Sequence, residues 1–328
     1  MNEEYSYDKT QYAEFKHQTP RVVVIGDVVL DIYIHGPINR LNPEEPGCPL
    51  LTREYMHYAP GAAGNVAANL ATLGARTSLV SDLDVSYEGR KIQGLLADQG
   101  VTLHMTNTLR PQPIRTRYYA NGRQMLRVDH DAKLPLAINT RMRQVIDEAV
   151  MKADVVLVVD YDKGFVTPPL MEHIIDAVSA ARIPYVVGTK VADWRKYGRP
   201  LMFCCNEAEW EQHTPPLCTK PAAMSAVVTQ GQHGCSRYTS GDSNNWRFVA
   251  KTPTVAVRCP QDSIGVGDTF LAALVKAMYL NDCTVNDTAC HIANAAARAA
   301  VQCEGTAMVS LDSVEEEMAV LPACAETE

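Results

Sequence analysis

The sequence lacks the features that mark several classes of protein. It has no uninterrupted apolar run of about 18 residues, the length that a membrane-spanning helix needs. Acidic residues (38) outnumber Lys and Arg (30), and the net charge of -8 argues against a nucleic-acid coat, whose signature is clustered positive charge. Residues 1–20 contain no basic stretch followed by an apolar core, so no secretory signal is expected. We expect a cytoplasmic protein, without nucleic-acid or membrane partners, in which residues 1–20 form a flexible tail.

Cysteine is abundant but lacks the spacing of a metal site. None of the ten cysteines belongs to a C-x-x-C pattern or to a Cys/His cluster at zinc spacing. Cys204 and Cys205 are adjacent, and the other eight are scattered along the chain. We interpret the cysteines as reduced thiols, several of them small core residues.

The order of the predicted elements favours an α/β protein. Residues 22–25 and 155–159 are fully apolar and precede Gly or Asp, a pattern typical of buried parallel strands. Two predicted helices end at glycines, Gly74 and Gly100. Because strands and helices alternate through most of the chain, we expect residues 21–328 to form one domain around a parallel sheet.

Two β-rich insertions, near residues 30–60 and 110–130, interrupt this alternation. The second contains Asn121-Gly122, the pair most typical of a two-residue hairpin turn. We expect the insertions to form a small second sheet that covers one edge of the main domain as a lid.

The segment most informative about chemistry is D-S-I-G-V-G-D-T-F at residues 262–270, which leads into an apolar helix. Glycines just before a helix let backbone N–H groups point outward, and the helix N-terminus adds partial positive charge. The predicted anion hole consists of Gly265, Val266 and Gly267. A carboxylate beside a bound phosphate is repelled unless it has a function there, and Asp268 is a candidate base for a hydroxyl that attacks phosphorus. The alternative is that this segment is only a helix N-cap.

Two common nucleotide motifs are missing. Without G-x-x-x-x-G-K-[ST] the chain is not a P-loop NTPase, and without G-x-G-x-x-G after the first strand it lacks the dinucleotide fingerprint. Residues 262–268 instead resemble the D-T-x-G-A-G-D signature of the ribokinase-like (PfkB) carbohydrate kinases, except for Val266 and a conservative change at Ser263. Residues 61–67 are similar to that family's early signature, a glycine pair followed by Asn on a helix. The resemblance covers roughly residues 21–310 and implies a ribokinase-like sandwich, with helices on both faces of a parallel sheet and a small β-sheet lid.

Further stretches resemble, within that family, the D-glycero-β-D-manno-heptose-7-phosphate kinase domain of ADP-heptose synthesis. They are residues 26–31, 40–46, 116–117 with 126–129, and 160–164. The resemblance implies that ATP phosphorylates the C1 hydroxyl of D-glycero-D-manno-heptose 7-phosphate, giving the 1,7-bisphosphate for ADP-heptose and lipopolysaccharide core synthesis. Many such kinases carry a nucleotidyltransferase domain as well, for which 328 residues leave no room, so a stand-alone kinase is expected.

Polar side chains near the predicted strand ends are the candidates for holding the sugar. Asp27 and Asp31 follow a buried strand, and open α/β sheets bind ligands at the carboxyl ends of their strands. Asn65 lies in an apolar helix, where Asn is disfavoured, and Gly61 belongs to the early signature. Capping or loop solvation is the alternative for the carboxylates.

Basic side chains are the candidates for a sugar phosphate, since guanidinium forks match phosphate geometry. The candidates are Arg115, Arg117, Arg127 and Lys163. A solvated hairpin face is the alternative for at least two of them. Lys163, which follows a buried strand, is favoured.

The nucleotide side is predicted from the late part of the chain. Thr229, Gly231 and Gly234 match the family's T-x-G-x-x-G, whose glycines permit close approach of the backbone to a ligand. The resemblance places the adenine near Asn294, although tight helix packing also explains the small residues around it.

Asn206 and Glu209 are the candidates for magnesium. They are three residues apart at a predicted helix start and lie on one face. The family uses this N-x-x-E pair around Mg²⁺ and the phosphates, often through water, which suits the reluctance of magnesium to lose its water shell. A capping pair at the start of an acidic helix is the alternative.

Two departures from the family pattern keep other functions open. V-G-T-K at residues 187–190 replaces an expected Asp-Pro-Lys, and F-C-C-N at residues 203–206 replaces a Thr-Pro-Asn. The alternatives are a kinase for another sugar, sugar phosphate or nucleoside, and a non-catalytic sugar- or nucleotide-binding member. The family often pairs its lids across their bare edge strands, so we expect a homodimer through the β lid.

Overall fold

The computed structural model describes residues 9–106, 110–131, 134–191, 193–213, 225–240 and 246–321. Its strands are β1 (Arg21–Gly26), β2 (Val28–His35), β3 (Ile38–Leu41), β4 (Pro49–Leu51), β5 (Tyr55–Ala62), β6 (Arg76–Ser81), β7 (Thr102–Met105), β8 (Ile114–Ala120), β9 (Arg123–His130), β10 (Val155–Asp160), β11 (Tyr185–Thr189), β12 (Met202–Asn206), β13 (Ser225–Thr229), β14 (Cys235–Ser240) and β15 (Trp246–Thr252). Its α-helices are α1 (Lys9–His17), α2 (Ala63–Thr72), α3 (Tyr87–Asp98), α4 (Thr140–Val150), α5 (Pro168–Ala181), α6 (Glu207–His213), α7 (Val266–Met278), α8 (Asp287–Val301) and α9 (Leu311–Met318).

The main sheet has the strand order β15-β14-β13-β12-β11-β10-β1-β6-β7. The strands from β13 to β7 pair in parallel, and β14 is antiparallel to both of its neighbours. The apolar strands β1 and β10 lie side by side near its centre, and β10 is buried at every residue. One hydrophobic core packs α2, α7 and α8 on one face, and a second packs α4 and α5 on the other. The predicted parallel α/β sandwich is therefore confirmed.

The lid is a separate sheet of order β5-β2-β8-β9. The hairpin between β8 and β9 turns at Asn121 and Gly122, both with positive φ (52° and 74°), as the sequence predicts. Every residue of β9 is exposed, so the lid presents a bare edge strand.

Helices α2 and α3 end where the local sequence predicts. Gly74 and Gly100 follow α2 and α3 with φ of +91° and +74°, a conformation that glycine adopts without steric cost. Among the described residues, no helix has both the length and the apolar composition needed to cross a bilayer.

The prediction of a flexible tail over residues 1–20 is wrong for the part that the structure describes. Residues Lys9–His17 form α1, in which Tyr12 and Phe15 are buried. The Tyr12 hydroxyl donates a hydrogen bond to the Leu311 carbonyl at 2.6 Å. Two aromatic residues three positions apart were a weak helical signal, and their partners lie at the far end of the chain. Residues 1–8 lie outside the described part, and a single domain over residues 21–328 stays a prediction.

Candidate active site

A cavity of about 420 Å³ opens at the carboxyl ends of β10 to β13, beside the first turn of α7. Open α/β sheets bind ligands at this edge. The predicted residues that line the cavity are Asn206, Glu209, Thr229, Gly231, Gly234, Gly265, Val266, Gly267, Asp268 and Asn294. The predicted sugar residues do not line it, but Asn65 donates a hydrogen bond to Asp268, and Asp27 and Lys163 border a second, much smaller cavity. The structure thus gathers the anion hole, the base and the nucleotide residues into one site.

The anion-hole loop is shaped by Asp262 and Gly265. The Asp262 carboxylate accepts hydrogen bonds from the backbone N–H groups of Ser263 (2.7 Å) and Ile264 (3.1 Å). Gly265 is the N-cap of α7 and has φ of +73°, and a Cβ atom there would lie 2.6 Å from the Asn65 amide nitrogen. At Gly267 a Cβ atom would meet nothing within 4 Å, because this residue faces the open cavity. The first N–H groups of α7 have no partner within the helix, so they can bind an anion in the cavity.

Asp268 is buried and held by two neutral donors. Its Oδ2 accepts a hydrogen bond from Asn65 Nδ2 at 3.0 Å, and its Oδ1 accepts one from the Tyr161 hydroxyl. Burial raises the pKa of Asp268, and the hydrogen bonds from Tyr161 and Asn65 oppose that effect. Asp268 therefore lies in the first turn of α7, and its surroundings raise the proton affinity of its carboxylate, as a general base requires.

Both the oxygen and the nitrogen of the Asn65 side-chain amide form hydrogen bonds. Asn69 Nδ2 donates to Asn65 Oδ1 at 3.0 Å, one turn along α2, while Asn65 Nδ2 donates to Asp268. These contacts explain an Asn in the middle of an apolar helix. In the structure Asn65 orients the Asp268 carboxylate, and its contact with a sugar stays a prediction.

Asp27 anchors the loop that follows β10. Its carboxylate accepts hydrogen bonds from the backbone N–H groups of Tyr161 (2.9 Å), Lys163 (3.1 Å) and Phe165 (3.0 Å). Burial, helped by the neighbouring Asp160 carboxylate, raises the pKa of Asp27 to about 6. Its observed contacts agree with the alternative that Asp27 caps a loop, because both carboxylate oxygens accept hydrogen bonds from backbone N–H groups.

Asp31 forms a buried ion pair at the base of the lid. Its Oδ1 lies 2.6 Å from Arg117 Nη1, and both side chains are almost fully buried. A Cβ atom at Gly61 would lie 2.3 Å from Asp31 Oδ2, so this carboxylate needs the glycine beside it. Three residues predicted from separate signatures therefore form one cluster.

The predicted phosphate ligands Lys163 and Arg127 both have carboxylate partners. Lys163 Nζ lies 2.5 Å from Asp131 Oδ2, and Arg127 pairs with Asp129 on the exposed strand β9 at 2.5 Å. These two cations are thus already balanced in the structure, and their binding of a substrate phosphate stays a prediction.

Two other cations lie beside Tyr161, which contacts the candidate base. Lys190 Nζ is 4.2 Å and Arg115 Cζ 5.8 Å from the centre of the Tyr161 ring, whose hydroxyl contacts Asp268. Arg115 Nε is buried without a hydrogen-bond partner among the described residues. Of these two cations, Lys190 favours the ionised form of Asp268, and Arg115 acts on the Tyr161 phenol.

The nucleotide residues are set by backbone geometry. Gly231 and Gly234 have φ of +56° and +85°, and a Cβ atom at Gly234 would lie 2.1 Å from the Thr252 carbonyl oxygen. Asn294 Nδ2 donates to the carbonyls of Thr252 (3.2 Å) and Pro253 (3.3 Å), so it fixes the end of β15 beside the cavity. Contact of these residues with a nucleotide stays a prediction.

Asn206 and Glu209 form a reciprocal cap at the start of α6. The Asn206 N–H donates to Glu209 Oε2 at 2.9 Å, and the Glu209 N–H donates to Asn206 Oδ1 at 2.8 Å. The capping alternative is thus correct, yet both residues also line the cavity. One carboxylate with an amide suits Mg²⁺, which keeps several waters and takes its other ligands from phosphate oxygens. The Oε1 atom of Glu209 is left for such a water, so the donor set fits the ion.

The cysteines of the described residues are free thiols, and Cys218 and Cys324 lie outside that part of the chain. Cys204 and Cys205 line the cavity, where burial raises the pKa of both thiols well above the usual range. A raised pKa keeps a thiol protonated, so neither is an activated nucleophile.

Sequence comparison identifies the family. Residues 197–313 match the sequence model described as pfkB family carbohydrate kinase. The bifunctional protein HldE of Bradyrhizobium diazoefficiens is 30% identical over 309 residues, which cover 88% of this chain and 61% of that protein. HldE of Hyphomonas neptunium is 31% identical over 320 residues, covering 92% of this chain and 64% of that protein. The chain contains a PfkB carbohydrate kinase domain.

Solved structures agree with this PfkB fold. Phosphofructokinase-2 from Escherichia coli in complex with potassium superposes with a TM-score of 0.71 at 20% identity, covering 92% of this chain and 99% of that one. Arabidopsis thaliana ribokinase complexed with ribose and ATP gives a TM-score of 0.69 at 18% identity, with coverage of 92% and 99%. At such identities the likeness establishes the ribokinase-like fold alone. The chain spans about three fifths of the length of the curated relatives it matches.

Sequence reasoning missed Tyr161 and Lys190, which also line the cavity. Each immediately follows the last residue of a parallel strand, β10 or β11, at the edge where ligands bind. A residue directly after a buried parallel strand is thus the sequence signal that indicates both side chains. Tyr161 lies 107 residues from Asp268 in the chain, so no sequence spacing links the two residues.

Proposed function

We propose that the protein is an ATP-dependent sugar kinase in which Asp268 is the general base. The observation that carries the proposal is the buried Asp268 carboxylate in the first turn of α7, directly beside a glycine-lined cavity. A helix N-terminus favours the anionic phosphates of ATP, and the carboxylate beside it is placed to accept a proton from an attacking hydroxyl.

The reaction follows from these positions. The acceptor hydroxyl gives its proton to Asp268 as its oxygen bonds to the γ-phosphorus. The bond from that phosphorus to the β,γ-bridging oxygen breaks, and the electron pair leaves with ADP. The N–H groups of Gly265, Val266 and Gly267 stabilise charge on the transferring group. Asp268 then releases its proton to solvent, and closure of the lid excludes water as a competing acceptor.

Magnesium would be held near Asn206 and Glu209 through its water shell. When bound, it supplies positive charge to the β- and γ-phosphates. The chain's own contribution is the reciprocal cap, which fixes the Glu209 carboxylate on the wall of the cavity.

For the acceptor we propose the C1 hydroxyl of D-glycero-D-manno-heptose 7-phosphate. Support comes from the stretches that resemble heptose-7-phosphate kinases and from relatives named HldE. Arg115 and Lys190, which lie over the ring of Tyr161, add positive charge that an anionic sugar needs. A PfkB kinase for another sugar or sugar phosphate is the alternative that a substrate panel separates.

We also propose a cytoplasmic homodimer that pairs two lids. The exposed edge strand β9 carries Met125, Leu126 and Val128, each about half exposed (57%, 55% and 48%). An open strand of this kind is stabilised by a second copy. Sedimentation equilibrium of the wild type, compared with a variant carrying Leu126→Lys, tests this part independently of catalysis.

The decisive experiment measures ADP release from ATP across a panel of heptose 7-phosphate, hexose phosphates, free sugars and nucleosides. We expect the highest kcat/KM with the heptose phosphate. Replacing the base by D268N should lower kcat by about 10²–10⁴-fold, the usual contribution of general base catalysis. The matched control is D312N, a change at an exposed carboxylate in the first turn of α9. Turnover by D268N close to that of D312N would refute the assignment of the base.

A further inference from the structure

Tyr161 connects the loop after β10 to Asp268. Its backbone N–H donates to Asp27 Oδ2 at 2.9 Å, and its hydroxyl donates to Asp268 Oδ1. Asp27 also accepts hydrogen bonds from the N–H groups of Lys163 and Phe165. These bonds fix the backbone of residues 161–165 directly after the end of β10. The phenol is therefore delivered to the carboxylate by a fixed backbone rather than by a mobile surface loop.

The Asp268 carboxylate lacks a direct ionic partner among the described residues. The contacts that favour its ionised form are the Tyr161 hydroxyl, the Asn65 amide and the more distant charge of Lys190, while burial and the Asp31 carboxylate oppose ionisation. A buried carboxylate without such donors takes up a proton and cannot act as a base. The hydrogen bonds from Tyr161 and Asn65 therefore contribute much of the stabilisation of the ionised form of Asp268.

The surroundings keep Tyr161 protonated, so that its hydroxyl serves as a hydrogen-bond donor. Lys190 and Arg115 lie over its ring, and positive charge near a phenol draws electron density from the O–H bond. Burial and the Asp268 and Glu209 carboxylates act the other way and raise the pKa of Tyr161 well above its usual range, so the phenol stays protonated and can donate. Phenylalanine would fill the same space, so the hydroxyl itself is the feature that needs an explanation.

We infer that Tyr161 is a positioning residue of the kinase: its hydroxyl holds Asp268 ionised and leaves the remaining lone pairs of the carboxylate for the acceptor hydroxyl. An ionised carboxylate has about four acceptor positions, of which Asn65 and Tyr161 use two. Asp27 supports this role indirectly, because its carboxylate holds the backbone N–H of Tyr161. This inference rests on the proposed function of Asp268 as the base.

The test is Y161F, assayed as kcat/KM against pH. Loss of a hydrogen bond to an ionised group should move the acidic limb of the profile to higher pH by about one pH unit, because Asp268 then binds its proton more tightly. A merely structural role would lower the rate by the same factor at every pH. The matched control is Y87F, which removes an exposed hydroxyl in the first turn of α3 and should leave the profile unchanged.

A second readout does not need turnover. The carboxyl ¹³C resonance of Asp268, identified by its absence in D268N, reports the same pKa by NMR titration. The midpoint should rise in Y161F and stay in place in Y87F. If wild-type protein turns over no acceptor, the proposed function fails, yet a raised midpoint in Y161F still supports the contact. If wild type is active and neither the profile nor the midpoint moves, the inference about Tyr161 is wrong and the kinase assignment stands.

A fluorinated tyrosine covers the case in which Y161F does not fold. Site-specific 3-fluorotyrosine at position 161 keeps the ring and the hydroxyl and makes the hydroxyl a stronger donor. It should move the acidic limb to lower pH, opposite to the change in Y161F. An unchanged or raised limb would overturn the inference.

Discussion

Replacing Gly265 by Ala perturbs the loop on which the proposed chemistry depends. Gly265 is the N-cap of α7 with φ of +73°, a left-handed conformation that costs an L-residue about 1–2 kcal/mol. The new Cβ atom would also lie 2.6 Å from Asn65 Nδ2 and 3.2 Å from Thr306 Cγ2. Because Cβ atoms do not approach so closely, Asn65 has to move away from Asp268.

The expected magnitudes follow from these two effects. Backbone strain alone should lower the free energy of unfolding by about 1–2 kcal/mol. A hydrogen bond to a charged group contributes about 1.5–3 kcal/mol, and each 1.36 kcal/mol is a factor of ten in rate. Loss of the contact between Asn65 and Asp268 should therefore lower kcat by roughly 10- to 100-fold.

Gly267 provides the matched control two residues away. A Cβ atom there meets nothing within 4 Å, and φ lies outside the positive region. Ala at this helical position should raise the free energy of unfolding by up to about 1 kcal/mol, while its methyl group enters the cavity and raises KM for ATP. Urea denaturation and steady-state kinetics of both variants give the comparison. A G265A protein with wild-type stability and kcat would refute the reasoning about this loop.

Three further outcomes are expected. Burial lowers the pKa of Lys276 to about 8 from an ordinary 10.5. Between these pH values the unfolded chain therefore binds more protons than the folded protein. The free energy of unfolding of the wild type should consequently rise relative to that of K276M from about pH 8 to 10.5. R117M leaves Asp31 buried without its partner and should lower the free energy of unfolding by about 3–5 kcal/mol in urea titrations. E209Q keeps the cap with Asn206, since Gln serves in a capping box, so it should raise the Mg²⁺ concentration for half-maximal rate without changing the melting temperature.

Each of these has a result that contradicts it. Parallel pH curves for wild type and K276M would mean that the lysine is solvated in solution. If the D31N/R117M double variant is no more stable than R117M, the loss does not come from an unpaired carboxylate. Equal Mg²⁺ dependence of E209Q and wild type would leave Glu209 as a cap only.

Local sequence was enough to predict the elements whose conformation is fixed by a few neighbouring residues. The hairpin at Asn121 and Gly122 needs two residues that tolerate positive φ, and the helix end at Gly74 needs one. Apolar runs predicted the central strands β1 and β10, because strands buried on both faces carry no alternation. The anion-hole loop belongs to this class, since its glycines act through their own backbone.

The pairing of charged groups was outside the reach of local pattern. Lys163 and Arg127 were predicted to bind phosphate, yet each lies against an aspartate. Both Asp129 and Asp131 were visible in the sequence, but whether a cation meets a carboxylate or solvent depends on strand register and side-chain direction. Arg117 meets Asp31 across 86 residues for the same reason.

By itself, the sequence determined the α/β class, the lid hairpin, the glycine-lined loop and Asp268 as the candidate base. Tertiary structure alone decided what surrounds that base: Asn65 arrives from 203 residues away and Tyr161 from 107. It also decided that α1 docks against a carbonyl 299 residues distant. The physical reason is the same in each case. Backbone preferences are set by a residue and its neighbours, whereas the proton affinity of a buried carboxylate is set by whichever groups the completed fold brings within hydrogen-bond distance.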